Sequence, residues 1–160
     1  MSAEKVIVRK ATIADLELLL ELSTGLLEHD ANFDATLDKS WAKGPHGREM
    51  FINRITKNDG VVYIAEVANK VVGYIIGGLI EPDTFRNIKT MADLEEIFVD
   101  SNYRHYHVGS VLMENFHEWC KAQLVEKLSV SVYAQNQNAI KFYKKVGFVE
   151  AYITLEMPIV

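Results

Sequence analysis

The sequence contains one cysteine, three prolines and nine glycines in 160 residues, and it lacks any long apolar run. A lone cysteine, Cys120, excludes an internal disulfide and fits a reducing compartment. No stretch reaches the roughly 18 consecutive apolar residues of a membrane span. The opening MSAEKVIVRK has neither an h-region nor a cleavage site, so the expected location is cytoplasmic. Basic charge is also short: 17 Lys and Arg against 22 Asp and Glu give a net charge of −5, which argues against a nucleic-acid partner. An acidic chain attracts cations instead, a hint toward amine ligands. Metal chemistry is not expected, because His105 and His107, two apart on a turn without a partner at usable spacing, make a poor ligand set.

What is present is a single domain, 1–160, about half of it apolar and long enough to bury one core. The pattern predicts a strand over 5–9, then Thr12 and Asp15 as a capping box opening a helix with Leu16, Leu19, Leu20, Ser23 and Leu27 at helical spacing. An irregular loop is expected over 29–47 and a second helix over 48–57. Two β-branched runs, 61–68 and 71–79, predict an antiparallel hairpin turning at Asn69-Lys70. After a loop containing Pro82 and Asp83 come a strand over 91–100, a helix over 108–124 with Leu112, Phe116, Trp119, Cys120 and Gln123 on one stripe, and a strand over 128–134. A helix over 136–146 with Gly147 as its stop, and one or two closing strands over 148–160, complete the order. The strand–helix–strand spanning 91–134 is a natural right-handed crossover, which makes its two strands parallel inside a mixed sheet.

The run LEEIFVDSNYRHYHVGSVLM, Leu94 to Met113, carries the clearest chemistry. It joins an apolar strand to an amphipathic helix through a short turn. Such a helix points unpaired backbone N–H groups and the positive end of its dipole at whatever lies above, which is a phosphate cradle. Within it, Val99-x-x-x-Tyr103-Arg104-x-x-x-x-Gly109-Ser110 resembles the acyl-CoA pyrophosphate loop of the GNAT superfamily of N-acetyltransferases. Asn136-x-x-Ala139-Ile140-x-Phe142-Tyr143-Lys144-Lys145-x-Gly147-Phe148 is similar to the same family's C-terminal signature. The loop departs from the usual R-x-x-G-x-G at His107, which stands where the family has its first glycine, and Ser101 replaces a frequent proline.

This resemblance implies an α/β (α+β) fold, a mixed and mostly antiparallel sheet flanked by helices, with a parallel pair splayed at the cofactor site. It implies acetyl-CoA as cosubstrate, with backbone groups of Ile97, Phe98 and Val99 pairing with pantetheine. Arg104, His105, Tyr106, His107, Val108, Gly109 and Ser110 would surround the pyrophosphate. His105 and His107 also read simply as solvated loop residues. Asn136 is expected to cap its helix near the cofactor.

Transfer to an amine also needs a proton acceptor and a proton donor. Strict alternation would place Asp93, Glu95, Ile97 and Val99 on one face, with Leu94, Glu96 and Phe98 on the other. By resemblance to the L-E-x-[IL]-[YF]-V strand of polyamine and aminoglycoside acetyltransferases, Glu95 is the expected base, ahead of Asp93; the structural alternative is a salt-bridged strand residue. Tyr143 is the expected general acid, and its alternative is a core aromatic. Cys120 on an apolar helical stripe reads as a core thiol, not a nucleophile.

The acceptor is expected between two loop regions carrying Glu28, Asp30, Asp34 and Asp38, then Glu81 and Asp83, with Phe33, Trp41 and Phe85 as walls. That mixture suits a small cationic amine; the alternatives are a protein lysine or N-terminus, or a non-catalytic acyl-CoA-binding regulatory module. The closing segment 150–160 suggests edge pairing and a homodimer.

Overall fold

The computed structural model describes residues 5–160. Strand β1 (Ile7–Lys10) leads through a 3₁₀ turn into α1 (Leu16–Asp30), and a second 3₁₀ turn, Trp41–Lys43, leads into α2 (Pro45–Thr56). Strands β2 (Gly60–Val67), β3 (Lys70–Ile80) and β4 (Met91–Val99) follow. A 3₁₀ segment, Ser101–Tyr106, then precedes α3 (Val108–Ala122), β5 (Lys127–Val130) and α4 (Gln137–Lys145). The sheet order is β1-β2-β3-β4-β5, antiparallel throughout except for the parallel β4–β5 pair that the crossover requires.

Local chemistry explains most boundaries. The Asp15 carboxylate accepts the Thr12 backbone N–H at 2.8 Å and also pairs with Arg9, whose guanidinium lowers it to about 2. Helix α2 begins at Pro45, earlier than the expected residue 48, because proline at the first helical position loses no helical hydrogen bond. The β2–β3 turn sits at Ala68 and Asn69, one residue before the expected position. Both have positive φ, 49° and 62°, as a two-residue hairpin that follows the strand twist demands. Gly147, at φ 110°, ends α4 as its position suggested.

The sheet separates two apolar layers. On one face Ala65, Ile75, Ala92 and Leu94 pack against Val108, Leu112, Phe116 and Cys120 of α3. On the other, Val62, Ile64, Tyr74 and Ile76 pack against Leu16, Leu19 and Leu20 of α1 and Phe51 of α2.

Two expectations are corrected. The segment after Phe148 forms no strand, and its large apolar side chains are exposed. The alternation of β4 is also broken: Ile76 faces Glu96 and Gly77 faces Leu94, so Glu95 is an extra residue, a β-bulge. Beyond the bulge the parity inverts. Leu94, Ile97 and Val99 share the α3 layer, whereas Phe98 packs with Tyr74 on the α1 side, where Glu96 meets Tyr74 and Ser23.

Candidate active site

A wedge opens in the sheet at this bulge. Strands β4 and β5 pair only from Met91 with Lys127 to Leu94 with Val130. Past Leu94 they separate, and β4 continues to Val99 paired with β3 alone. The Asp100 N–H reaches the Val72 carbonyl at 2.8 Å. Backbone groups of successive residues in an extended strand point to opposite edges, so Asp100 and Phe98 serve the β3 ladder, whereas Ile97 and Val99 present theirs to the open side. Phe98, expected in the pantetheine contact, instead sends its backbone to β3 and stacks its ring on Tyr74 at 6.2 Å.

Helix α3 starts at the top of the wedge. The first helical hydrogen bond runs from the Val111 N–H to the His107 carbonyl at 3.1 Å, which leaves the N–H groups of Val108, Gly109 and Ser110 for an external acceptor. His107 itself is left-handed, φ 59° and ψ 22°, the conformation that a glycine supplies without strain. Gly109 allows a close approach: a Cβ there would lie 3.2 Å from the Phe142 ring of α4. Arg104, His105 and His107 are exposed, and the Tyr106 ring lies 4.5 Å from that of His105. Three orphan N–H groups, with the exposed guanidinium of Arg104 on the preceding turn, form a site for a polyphosphate.

The carboxylates fall on the opposite side of β4. Glu95 receives Arg54 of α2 in a forked ion pair, Nη2 to Oε1 at 2.6 Å and Nε to Oε2 at 3.1 Å, which raises the Arg54 pKa. This pair lines an open cavity with Met50, Asn53, Lys57 and Asp59. Glu96 accepts from the Ser23 and Tyr74 hydroxyls, and burial lifts its pKa above the usual carboxylate range. Asp93 accepts from the Ser129 hydroxyl at 2.8 Å and is raised likewise by burial. The bulge therefore adds Glu96 to the side that alternation already gives Asp93 and Glu95, the α1–α2 side.

Tyr143, on α4, completes the constellation. Burial first, then the nearby charges of Asp30 and Asp93, push its hydroxyl up to about 12, so it stays protonated at neutral pH. Tyr133, just beyond β5, stacks on Phe33 at 6.0 Å and donates to Asp34 at 3.3 Å. Asp30, Phe33 and Asp34 of the expected acceptor region thus converge on the wedge. Others do not: Asp38 caps the Ser40 turn, Asp83 pairs with Arg86, and Phe85 is exposed. Asn136 accepts the Ala139 N–H and caps α4.

Arg54, Glu96 and Tyr133 were missed from the sequence. A signal existed for Glu96, since a buried Ser23 on the α1 stripe needs a polar partner. Among the described residues no group of three or more His, Cys, Asp or Glu is placed to hold a metal ion, and no helix is long and apolar enough to cross a membrane.

The acetyltransferase (GNAT) family model matches residues 27–148, a span that contains the wedge, the α3 turn and Tyr143. The chain belongs to the GNAT family. A relative, an uncharacterized N-acetyltransferase of Methanocaldococcus jannaschii, is 29% identical over 147 residues, covering 89% of this chain and 60% of its own length. An N-alpha-acetyltransferase of Sulfurisphaera tokodaii is 29% identical over 108 residues, 63% of this chain and 64% of that protein. The chain thus spans under two thirds of these curated relatives. The solved aminoglycoside N-acetyltransferase AAC(6')-Iy, in complex with the bisubstrate analog CoA-S-monomethyl-acetylneamine, shares the fold, with a TM-score of 0.74, 16% identity and coverage of 98% of this chain and 99% of that one.

Proposed function

We propose that the chain is an acetyl-CoA-dependent N-acetyltransferase acting on a primary amine by direct transfer in a ternary complex, with a small cationic acceptor. The wedge carries this reading. It offers the Ile97 and Val99 backbone to the amides of a pantetheine arm, and three free N–H groups with Arg104 to the pyrophosphate. A solved protein of the same fold is in complex with a bisubstrate analog that contains CoA, which supports this reading. The cosubstrate supplies an activated thioester acyl group.

The chain's own residues manage protons. An alkylammonium with a pKa near 10.4 costs about 4.6 kcal/mol to deprotonate at pH 7. Glu95, held in one orientation by Arg54, accepts that proton directly or through water. Tyr143, protonated at neutral pH, delivers a proton to the departing sulfur. Asp30 and Asp34, with the aromatic wall of Phe33 and Tyr133, attract and seat a cation. A second reading assigns the proton to Glu96, because burial raises its affinity for a proton and the bulge turns it to the same side.

Thiol release from acetyl-CoA, measured across polyamines, aminoglycosides and peptides with free lysines or N-termini, tests the proposal. Amine-stimulated release with small polycations is the expected result. Preference for peptide N-termini would favour the alternative suggested by the Sulfurisphaera relative. Tight acetyl-CoA binding with no amine-stimulated thiol would make the domain a regulatory module and overturn the enzymatic reading.

A further inference from the structure

A second cavity, of about 520 Å³, lies where β1 ends and β2 begins, between the C-terminal turns of α2 and α3. A volume of that order suits a metabolite-sized ligand. Lys10 and Tyr63 stand opposite each other on β1 and β2, and Trp119 and Gln123 continue the wall from α3. The lining carries three cationic side chains, Lys10, Arg54 and Lys57, against one carboxylate, Glu118, which already pairs with Lys121 at 2.8 Å. In a chain of net charge −5 this is a local inversion of sign. The end of α3 does little to offset it, because the Trp119 and Cys120 carbonyls accept the Gln123 and Val125 N–H groups at 3.0 Å. Cations beside two aromatic rings suit an anion that has a flat ring of its own.

This cavity is joined to the carboxylates of β4. Arg54 and Lys57 line both it and the cavity that contains Glu95. Arg54 passes over Gly60 and Gly78, which face each other on β2 and β3. A Cβ at Gly60 would collide with the Arg54 Cδ, and one at Gly78 with its Nη1. The two glycines are thus a trench for the arginine, whose head forks onto Glu95 while Asp59 lies 3.9 Å from Nη1. One guanidinium shared between two cavities is a means of coupling them.

We infer that the second cavity is an effector site for an aromatic carboxylate, and that its occupation draws Arg54 away from Glu95. Lys10 and Lys57 hold the carboxylate, and the ring lies against Tyr63 and Trp119. The binding stands by itself; the effect on turnover rests on the role proposed for Glu95. Because Arg54 orients Glu95, the effector slows turnover. It leaves acetyl-CoA binding alone, since the pyrophosphate belongs at the opposite end of α3, a 15-residue helix or roughly 22 Å away.

The test titrates naphthoate, with naphthamide as the neutral counterpart, into the full chain and follows the side-chain N–H signals by nitrogen-15 NMR. Naphthoate should move the Trp119 indole and Arg54 Nε–H signals and leave Trp41, the other tryptophan, in place. Naphthamide should bind about tenfold more weakly or worse, as should naphthoate to Lys10→Glu, whose melting and acetyl-CoA affinity should match the parent. In the thiol-release assay, saturating naphthoate should lower kcat several-fold without raising the KM for acetyl-CoA. Arg54→Ala, already slow, should not respond to it. A Trp119 signal unmoved by millimolar naphthoate would overturn the site, as would equal binding of naphthamide or of naphthoate to Lys10→Glu. A Trp119 shift without an Arg54 shift, or an unchanged kcat at saturation, would overturn the coupling. The spectra need no turnover, so a chain without amine-stimulated thiol release defeats the enzymatic reading and leaves the site to be judged on binding.

Discussion

The two halves of β4 have adjacent residues and different tasks. Met91 to Leu94 is paired on both edges, with β3 and with β5, and its Ala92 and Leu94 are buried. Glu95 to Val99 is paired with β3 alone, and all five of its residues, unlike Leu94, are only partly buried. The closed half supplies cohesion, and the open half supplies unsatisfied backbone groups and carboxylates. A single extra residue, Glu95, separates them. It halts the alternation, turns two glutamates to one side and lets the strands diverge.

The sharpest way to break this division is to mutate across the boundary. Leu94→Ala should cost about 2–5 kcal/mol of stability, read by urea unfolding, because a fully buried leucine leaves a cavity among α3 side chains. Turnover per folded molecule should change only a few-fold. Glu95→Gln, one residue on, should act chiefly on turnover: kcat about 100-fold lower, roughly 2.7 kcal/mol of transition-state stabilisation, with acetyl-CoA affinity preserved and some loss of melting temperature because Arg54 is left without its carboxylate partner. Tyr143→Phe should match it in turnover. Glu96→Gln separates the two proton acceptors, since a 100-fold loss there with a mild effect at Glu95 transfers the role to Glu96.

The paired half was legible in the sequence and the open half was not, for a physical reason. Burial writes a periodic signature, so the α3 stripe of Leu112, Phe116, Trp119 and Cys120 was readable, as was the crossover that makes β4 and β5 parallel. A bulge has no period, and strict alternation therefore put Glu96 on the wrong face. The partner of Glu95, Arg54, lies 41 residues away, beyond the reach of any local pattern. The expected closing strands failed differently: residues 149–160 have the pattern of a strand, but pairing is decided by which edge is available and not by the segment itself.

A smaller effect separates groups within the α3 layer by pH. Burial raises the Cys120 thiol to about 11 and the Tyr143 hydroxyl to about 12, both above their unfolded values. The stability linked to their protonated forms is complete below about pH 9 and 10 respectively, and is lost as pH rises through the folded values. Unfolding free energy should fall by an amount on the order of 2 kcal/mol from Tyr143 between pH 10 and 12. Tyr143→Phe should remove that part of the decline and leave the earlier part, due to Cys120, in place. An unchanged alkaline profile in the Phe variant would show that Tyr143 is as wet folded as unfolded.

The smallest expected effect concerns the open end of the wedge, at His107. Its left-handed backbone, φ 59°, strains a side-chain-bearing residue by about 1–2 kcal/mol. Glycine would relieve this but loses about 0.5–1 kcal/mol through its freer unfolded chain, so His107→Gly should stabilise by roughly 1 kcal/mol or less. The informative reading is affinity. If the backbone N–H groups of Val108, Gly109 and Ser110 hold the pyrophosphate, calorimetric binding of acetyl-CoA to His107→Gly should be unchanged or slightly tighter at both pH 6 and pH 8. If the His107 side chain itself contributes to the rim, the variant should bind more weakly than the parent. The contrasting substitution, Gly109→Ala, keeps every charge but sets a methyl 3.2 Å from the Phe142 ring. It should weaken binding at both pH values by displacing the N–H groups themselves, which separates a contribution of geometry from one of charge.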